Sequence, residues 1–294
     1  MKIYFLNIVP MNEATLRITF FLFIFLIMAM WEILAPKRVL SEKKITRWSN
    51  NLIIVIFNAI LNRVIFPIIP VGMAILSVKN NWGLLNNFHI PDIFNVIFSI
   101  IILDLAIYIQ HVMFHTLPVL WRLHLVHHAD LDIDVTTGLR FHPIEIIISM
   151  VIKLSVVYIL GPSPFAVLIF EIALNGTSMF NHGNIRLPRG LDRVVRLFIV
   201  TPDMHRVHHS VIIRETNSNF GFNLSCWDRF FCTYRKKPAA GHKGMKIGLA
   251  QYRNSEELSL ARLFILPFIA DPGKYSINRW AQEPKEENTK DRKN

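Results

Sequence analysis

Cysteine is scarce in this sequence, which contains only Cys226 and Cys232. Two cysteines without a second pair cannot supply the four thiolates of an iron–sulfur cluster, and the sequence has no CxxCH haem-attachment motif. A GxGxxG dinucleotide-binding motif is also missing. Redox chemistry would therefore need another kind of cofactor, and we interpret the two cysteines as packing residues.

Charge is scarce as well, since 18% of the residues are charged and 52% are hydrophobic. A soluble protein of this length would need more charge to cover its surface. The apolar residues form four long runs, and the first three reach the roughly 20 residues that a membrane-spanning helix needs. The fourth run is interrupted by Gly-Pro-Ser-Pro and is predicted to be a helical hairpin. These runs occupy residues 18–31, 51–76, 93–109 and 144–174.

The formal net charge of +11 indicates which side of the membrane the loops face. Nucleic acid is excluded as a partner because no recognition motif accompanies the charge. Basic residues collect in cytosolic loops of membrane proteins, and the loop 36–48 holds five of them against one glutamate. We therefore expect this loop, the end of the third helix and everything after about residue 181 to lie in the cytosol.

The predicted fold is all-α, an integral membrane bundle of about four to five membrane helices with a cytosolic, histidine-rich helical cap. We divide the chain into N-terminal membrane helices (1–92), a histidine-box domain with a membrane hairpin (93–235), and a basic cytosolic C-terminal segment (236–294). Within this last segment, residues 236–256 are predicted to be a surface loop and residues 257–268 an interfacial helix. The charged tail 282–294 is predicted to be disordered.

Histidine is abundant in three short motifs, one HxxxH and two HxxHH. Residues three or four apart share a face of a helix, so each motif aims its imidazoles in one direction. Clustered imidazoles repel one another when protonated, but as neutral ligands they can bind a metal. Eight ligands exceed what one ion takes, which predicts two ions, and imidazole suits iron, zinc, copper and nickel alike. The eight histidines are His111, His115, His124, His127, His128, His205, His208 and His209.

The order of these motifs beside membrane helices resembles the fatty acid hydroxylase/sterol desaturase superfamily, over about residues 95–235. The segments DLAIYIQHVMFH, FNHGNIRLP and TPDMHRVHHS support the resemblance. Many members have arginine after the first histidine, where this sequence has Val112. The resemblance implies a di-iron centre (Fe²⁺/Fe³⁺) that uses O₂ as co-substrate, with the eight histidines as ligands and His182 as a ninth. No catalytic residue separate from the metal centre is predicted.

Carboxylates near the ions should offset the charge that neutral imidazoles leave uncompensated. Asp104 is the favoured candidate because it lies within an apolar helix, and Glu145 is a second candidate. Asp130 and Asp203 are weaker ones. His142 is predicted either to support the ligands from outside or to hold the loop before the hairpin.

Together with the resemblance, these features predict a membrane-bound di-iron oxidoreductase that hydroxylates or desaturates a sterol, fatty acyl or ether lipid. Electrons would come from an external donor such as ferredoxin, cytochrome b5 or a reductase, which a basic cytosolic face could dock. Composition favours a bacterial cytoplasmic membrane, with the endoplasmic reticulum as the eukaryotic alternative. A second hypothesis is a histidine-rich membrane metal transporter or sensor, and a third is a protein with a redox-silent structural zinc.

Overall fold

A computed structural model describes residues 2–277, with side chains described from residue 13 onward. This part of the chain is 66% helical and contains no β-strand, which confirms the predicted all-α fold. Four segments within it are long and apolar enough to cross a membrane. They are Glu13–Leu34, Lys44–Asn87, Asp92–Thr116 and Pro143–Leu160.

The membrane bundle is built from six helices. Large apolar side chains such as Phe23, Ile56 and Ile97 are exposed on their outer faces, as expected of surfaces that lipid covers. The helices are α1 (Lys2–Leu34), α2 (Lys44–Ile65), α3 (Pro70–Lys79), α4 (Asp92–Thr116), α6 (Pro143–Leu160) and α7 (Pro164–Asn181).

The second apolar run belongs to one candidate membrane span, but it is broken into two helices. Helix α2 ends at Ile65, and Phe66 takes an extended conformation with φ −107° and ψ 103°. Pro67 follows, and a residue before proline is disfavoured in helical conformation. The chain restarts as α3 with Pro70 in the first turn, a position that tolerates the missing N–H.

The fourth run forms the expected hairpin of α6 and α7. Gly161 ends α6 in the left-handed conformation with φ 64°, and the Ser163 hydroxyl caps α7 by accepting from the Ala166 N–H at 3.2 Å. Gly83 lies against Gly161, so a Cβ on either glycine would collide with the other's backbone. Helix α7 is the central helix of the bundle, since Val167 and Phe170 are fully buried.

The cap over one end of the bundle is made from short helices and loops. Helix α5 carries the first HxxHH box and α9 carries the second. Trp121 on α5 is fully buried; its Nε1 donates to the Pro272 carbonyl at 3.0 Å and its ring stacks on Tyr275. The cap helices are α5 (Pro118–His128), α8 (Arg189–Val195), α9 (Pro202–His208), α10 (Ile213–Thr216), α11 (Cys226–Phe230), α12 (Gly241–Gly244) and α13 (Leu260–Ile269).

The C-terminal segment is more integrated than the sequence predicts. Residues 236–256 are mostly irregular and exposed, as expected of a surface loop, but Met245, Ile247 and Leu249 within the segment are buried. The predicted helix at 257–268 is present as α13 and packs against α5. The tail 282–294 was predicted to be disordered from its composition, and it lies outside the described residues. The domain boundaries near residues 92 and 235 stay predictions.

The two cysteines are free and exposed, so their assignment as packing residues was also wrong. Cys232 occupies a turn with φ 59°, which leaves its side chain outside the core.

Candidate metal centre

The nine predicted histidine ligands are all buried and converge in two adjacent groups. Within each group, one ligand atom from every residue lies within 4.8 Å of those of the others. The groups touch where the rings of His128 and His209 stack, with centroids 4.6 Å apart. The five-histidine group is His111, His115, His124, His128 and His208, and the four-histidine group is His127, His182, His205 and His209.

Each HxxHH box divides its histidines between the two groups. On α5, His124 and His128 join the five-histidine group and His127 joins the other. On α9 the assignment is reversed, since His205 and His209 join the four-histidine group. Residues four apart lie almost one above the other on a helix, whereas adjacent residues point about 100° apart. The doubled histidine therefore lets each helix contribute to both groups.

Proline and helix caps fix the positions of these helices. Pro118 begins α5 and Pro202 begins α9, so each box sits within three turns of a defined start. The Thr201 hydroxyl caps α9 by accepting from the Met204 N–H. His182 is the C-cap residue of α7.

Hydrogen bonds to Nδ1 orient six of the nine rings. His111 donates to the Phe220 carbonyl at 2.7 Å, and His124 donates to Glu145 Oε1 at 2.7 Å. A ring that donates from Nδ1 is the tautomer whose Nε2 carries a bare lone pair. The remaining acceptors are Asn217 Oδ1 for His115 and the carbonyls of Arg140 for His127, Ser178 for His182 and Ser218 for His208.

The inward-facing Nε2 atoms approach one another closely. His111 Nε2 lies 3.2 Å from His124 Nε2, and His127 Nε2 lies 3.1 Å from His182 Nε2. Because the Nδ1 atoms of these rings already donate elsewhere, the facing Nε2 atoms are two acceptors without a proton between them. Opposed lone pairs repel unless a cation lies between them, so the donor set fits metal ions.

Other ring nitrogens in the centre are buried without any hydrogen-bond partner, which is unusual for polar atoms. His115 and His208 each leave Nε2 unpartnered, and His128 and His209 leave both nitrogens unpartnered. Burial lowers the pKa of the cap histidines well below the usual 6.5, and the neighbouring imidazoles lower it further. These rings are therefore neutral at pH 7 and can donate lone pairs. They are His124, His127, His128, His205, His208 and His209.

Glu145 is the candidate carboxylate that contacts a box histidine, through its hydrogen bond to His124. Asp104 instead accepts from the Leu224 N–H at 3.1 Å and from Trp227 Nε1 at 2.9 Å. Its contacts therefore attach segment 224–227 of the cap to α4. Asp203 pairs with Lys37 at 2.7 Å and with Arg206.

Asp130 belongs to a buried ion-pair network behind the α5 box. Arg47 binds both Asp130 carboxylate oxygens, each at 2.8 Å, and reaches Asp134 Oδ2 at 2.6 Å. The network joins the start of α2 to the loop that follows the box. Of the two roles predicted for His142, its contacts match the second, at the loop before the hairpin, because its Nδ1 caps α6 at the Ile144 N–H and its Nε2 donates to the Phe264 carbonyl.

Arg47 and Asn217 support the site but were not among the predicted residues. From the sequence, Arg47 is only one residue of a basic loop. The signal for its role was the acidic run of residues 130–134, whose three aspartates would need a cation if they were buried. Nothing in the sequence singles out Asn217 as the partner of His115.

A cavity of about 310 Å³ opens beside the five-histidine group and is lined by residues from α1, α2, α4, α6 and α7. His111, His124 and Glu145 form part of its wall at the metal end. Phe141 and Phe222 also line it, and Phe141 stacks on His127 with centroids 4.4 Å apart.

Comparison with known proteins identifies related sequences over this same part of the chain. Residues 96–233 match the fatty acid hydroxylase family. A stretch of 150 residues is 31% identical to the ornithine lipid hydroxylase OlsE of Rhizobium tropici, and it covers 50% of this chain and 44% of that protein. A stretch of 136 residues is 29% identical to alkylglycerol monooxygenase of Xenopus tropicalis, covering 45% and 28% of the two proteins. The chain thus spans less than half of these relatives, and no solved structure matches it.

Proposed function

We propose that this chain, whose residues 96–233 match the fatty acid hydroxylase family, is a membrane-bound di-iron oxygenase that hydroxylates or desaturates a lipid. The observation that carries this proposal is the division of nine buried histidines into two adjacent groups of five and four. Each group has enough imidazoles for one ion. Iron is favoured over zinc because the relatives are named as a hydroxylase and a monooxygenase, and zinc is not redox-active.

When bound, two irons would supply the redox chemistry with O₂ that breaking an unactivated C–H bond requires. The residues of the chain hold and shield this centre. Carbonyl and carboxylate acceptors fix the ring orientations through Nδ1, and Glu145 places a carboxyl group beside His124. Burial of all nine rings excludes bulk water.

The cavity beside His111 and His124 supports a lipid substrate that enters from the membrane. Its walls come from helices whose outer faces are apolar, so an acyl or alkyl chain could pass between lipid and cavity without crossing water. The named substrates of the relatives, ornithine lipids and alkylglycerols, support a polar membrane lipid as the substrate class.

We further propose that the histidine centre faces the cytosol and receives electrons from ferredoxin, cytochrome b5 or a reductase. A basic groove supports this docking, because it lies on the cap side between the end of α1 and the start of α2. An acidic carrier would be attracted to such a surface. Its cations are Lys37, Arg38, Lys44, Arg186 and Lys243.

The proposal is tested by measuring metal content, O₂ consumption and lipid products of the purified full chain in nanodiscs. We expect about two irons per chain, O₂ consumption after reduction, and a lipid that gains one oxygen atom or loses two hydrogens in expressing cells. His205→Ala, within the four-histidine group, should abolish activity. His89→Ala is its matched control, since His89 is exposed in the loop before α4. Redox-silent zinc would contradict the proposal, and bound metal without any lipid change would favour a transporter or sensor.

A further inference from the structure

The cap carries large apolar side chains that the described part of the chain leaves exposed. Phe230 is 75% exposed and Phe198 is 68% exposed, although neither lies on a helix long enough to span a membrane. Exposed apolar surface of this kind marks a contact with a membrane or with another protein. We refer to these side chains as the cap patch, and they are Leu191, Val194, Leu197, Phe198, Phe230 and Phe231.

Hydrogen bonds join the two segments that carry the cap patch. One segment is α8 with the turn that ends at Phe198, and the other is α11 with the turn after it. The Phe198 carbonyl accepts from the Ser225 N–H at 3.1 Å, and the Arg196 carbonyl accepts from Arg229 Nη2 at 2.7 Å. Irregular backbone is tolerated at membrane depth only where the protein itself satisfies the polar groups. These two segments meet that requirement at the point where they touch.

Contacts with α4 fix the depth of the cap patch. Trp227 Nε1 donates to Asp104 at 2.9 Å, and the Phe231 ring stacks on Tyr108 with centroids 5.2 Å apart. Helix α4 begins at the charged residue Asp92, which marks the membrane surface opposite the cap. Tyr108 follows after about 24 Å of helix at ~1.5 Å per residue, whereas the hydrocarbon core is roughly 30 Å thick. Because helix tilt only reduces this depth, Tyr108 and Phe231 lie within the hydrocarbon layer or at its cap-side edge.

This depth favours lipid over a soluble protein as the partner of the cap patch. Ile109, which follows Tyr108 on α4, is 54% exposed, so the lipid-facing surface of α4 continues beside the patch. A soluble partner would have to displace lipid from this surface. The exposed charged residues next to the patch are all cationic, as expected where long side chains reach lipid phosphates. They are Arg189, Arg193, Lys236 and Lys237.

We propose that the cap patch is inserted into the membrane, with Phe198 and Phe230 among the acyl chains of the cap-side leaflet and the flanking cations at its phosphate groups. The cap is then held in the bilayer by two short segments that do not span it, in addition to the helices that do. The insertion keeps the histidine-bearing cap at a fixed height above the bundle. The inference is independent of the proposed oxygenase function, because neither metal nor turnover enters it.

Quenching by brominated lipid tests the insertion in the full chain in nanodiscs. The variants Phe198→Cys and Phe230→Cys each receive a fluorophore, in a background in which Cys226→Ser and Cys232→Ser remove the two exposed native thiols. The nanodiscs contain phospholipid brominated near the headgroup end of its acyl chains. We expect both labels to lose fluorescence as strongly as a label at Ile97→Cys, on the outer face of α4.

Arg214→Cys, on the exposed part of α10, is the matched control in the cap and should not be quenched. Quenching at Phe198 or Phe230 no stronger than at Arg214 would overturn the inference. Labels that escape bromine but show energy transfer between two chains would overturn it as well, and would assign the cap patch to contact with a second copy. Because the two variants lie on different segments and replace exposed side chains, a folding defect in one leaves the other to decide.

Discussion

The two HxxHH boxes have the same sequence pattern, but their surroundings differ. The α5 box gives two histidines to the five-histidine group, whose His111 and His124 line the cavity, whereas the α9 box gives two to the four-histidine group. Side chains anchor part of the first group, through Glu145 and Asn217, while the anchors in the second are the backbone carbonyls of Ser178 and Arg140. A repeated motif can therefore build two unlike sites when each copy contributes histidines to both of them.

The largest difference is expected between two adjacent substitutions in the α5 box. His127→Ala leaves only three histidines in the four-histidine group, so this group should bind its ion more weakly, metal content should fall below about two ions and activity should be lost. His128→Ala leaves four histidines in its group and should keep both ions, with reduced activity. Metal analysis of both variants checks this, and equal metal loss would show that the groups do not act separately.

Breaking the network behind the α5 box should destabilise the fold. Arg47→Met leaves Asp134 buried without its cation and Asp130 with only Arg140 at 3.6 Å, which should cost about 3–5 kcal/mol of unfolding free energy. Thermal or denaturant unfolding in detergent measures the effect. Lys43→Met in the same basic stretch, where the residue is exposed, should change stability little. If both variants were equally stable, the ion-pair network would be irrelevant to the position of the box.

Removing the carboxylate anchor should weaken the five-histidine group selectively. Glu145→Leu removes the acceptor that orients the His124 ring, so iron affinity should fall roughly 10- to 100-fold at that group. Chelator titration resolves the two ions and shows which one is released first. Glu145→Gln keeps an acceptor for Nδ1 and should lose less; an unchanged release profile in both variants would contradict the anchoring role.

The smallest effect is expected at the amide anchor of the same group. Asn217→Ala removes the acceptor of His115 Nδ1 and the donor to the Tyr275 carbonyl at 2.7 Å. Loss of these bonds should cost about 1 kcal/mol, or roughly fivefold in iron affinity. Asn254→Ala, in a distant capping position, controls for the loss of an amide. An effect as large as that of Glu145→Leu would mean that Asn217 does more than orient one ring.

The histidine positions could be found in the sequence because ligands must recur at helical spacing, and the resemblance added His182. Their pairing could not be found, since His127 and His128 are neighbours in sequence yet belong to different groups. The apolar runs predicted the bundle but not the break at Phe66. The run stays apolar there, but the following proline disfavours a helical conformation. Arg47 resembled an ordinary basic loop residue because its partners lie more than 80 residues away.

The contacts of Trp121 and Asn217 have a consequence for biosynthesis. Trp121, beside the first box, is covered by Pro272 and Tyr275, and Asn217, which orients His115, is itself held by the Tyr275 carbonyl. During translation, Pro272 and Tyr275 are synthesised more than 140 residues after the first box. If the chain binds iron as proposed, capture of the ions would be a late event, completed only after translation has passed residue 275, and a nascent chain released earlier would be a poor competitor for cellular iron.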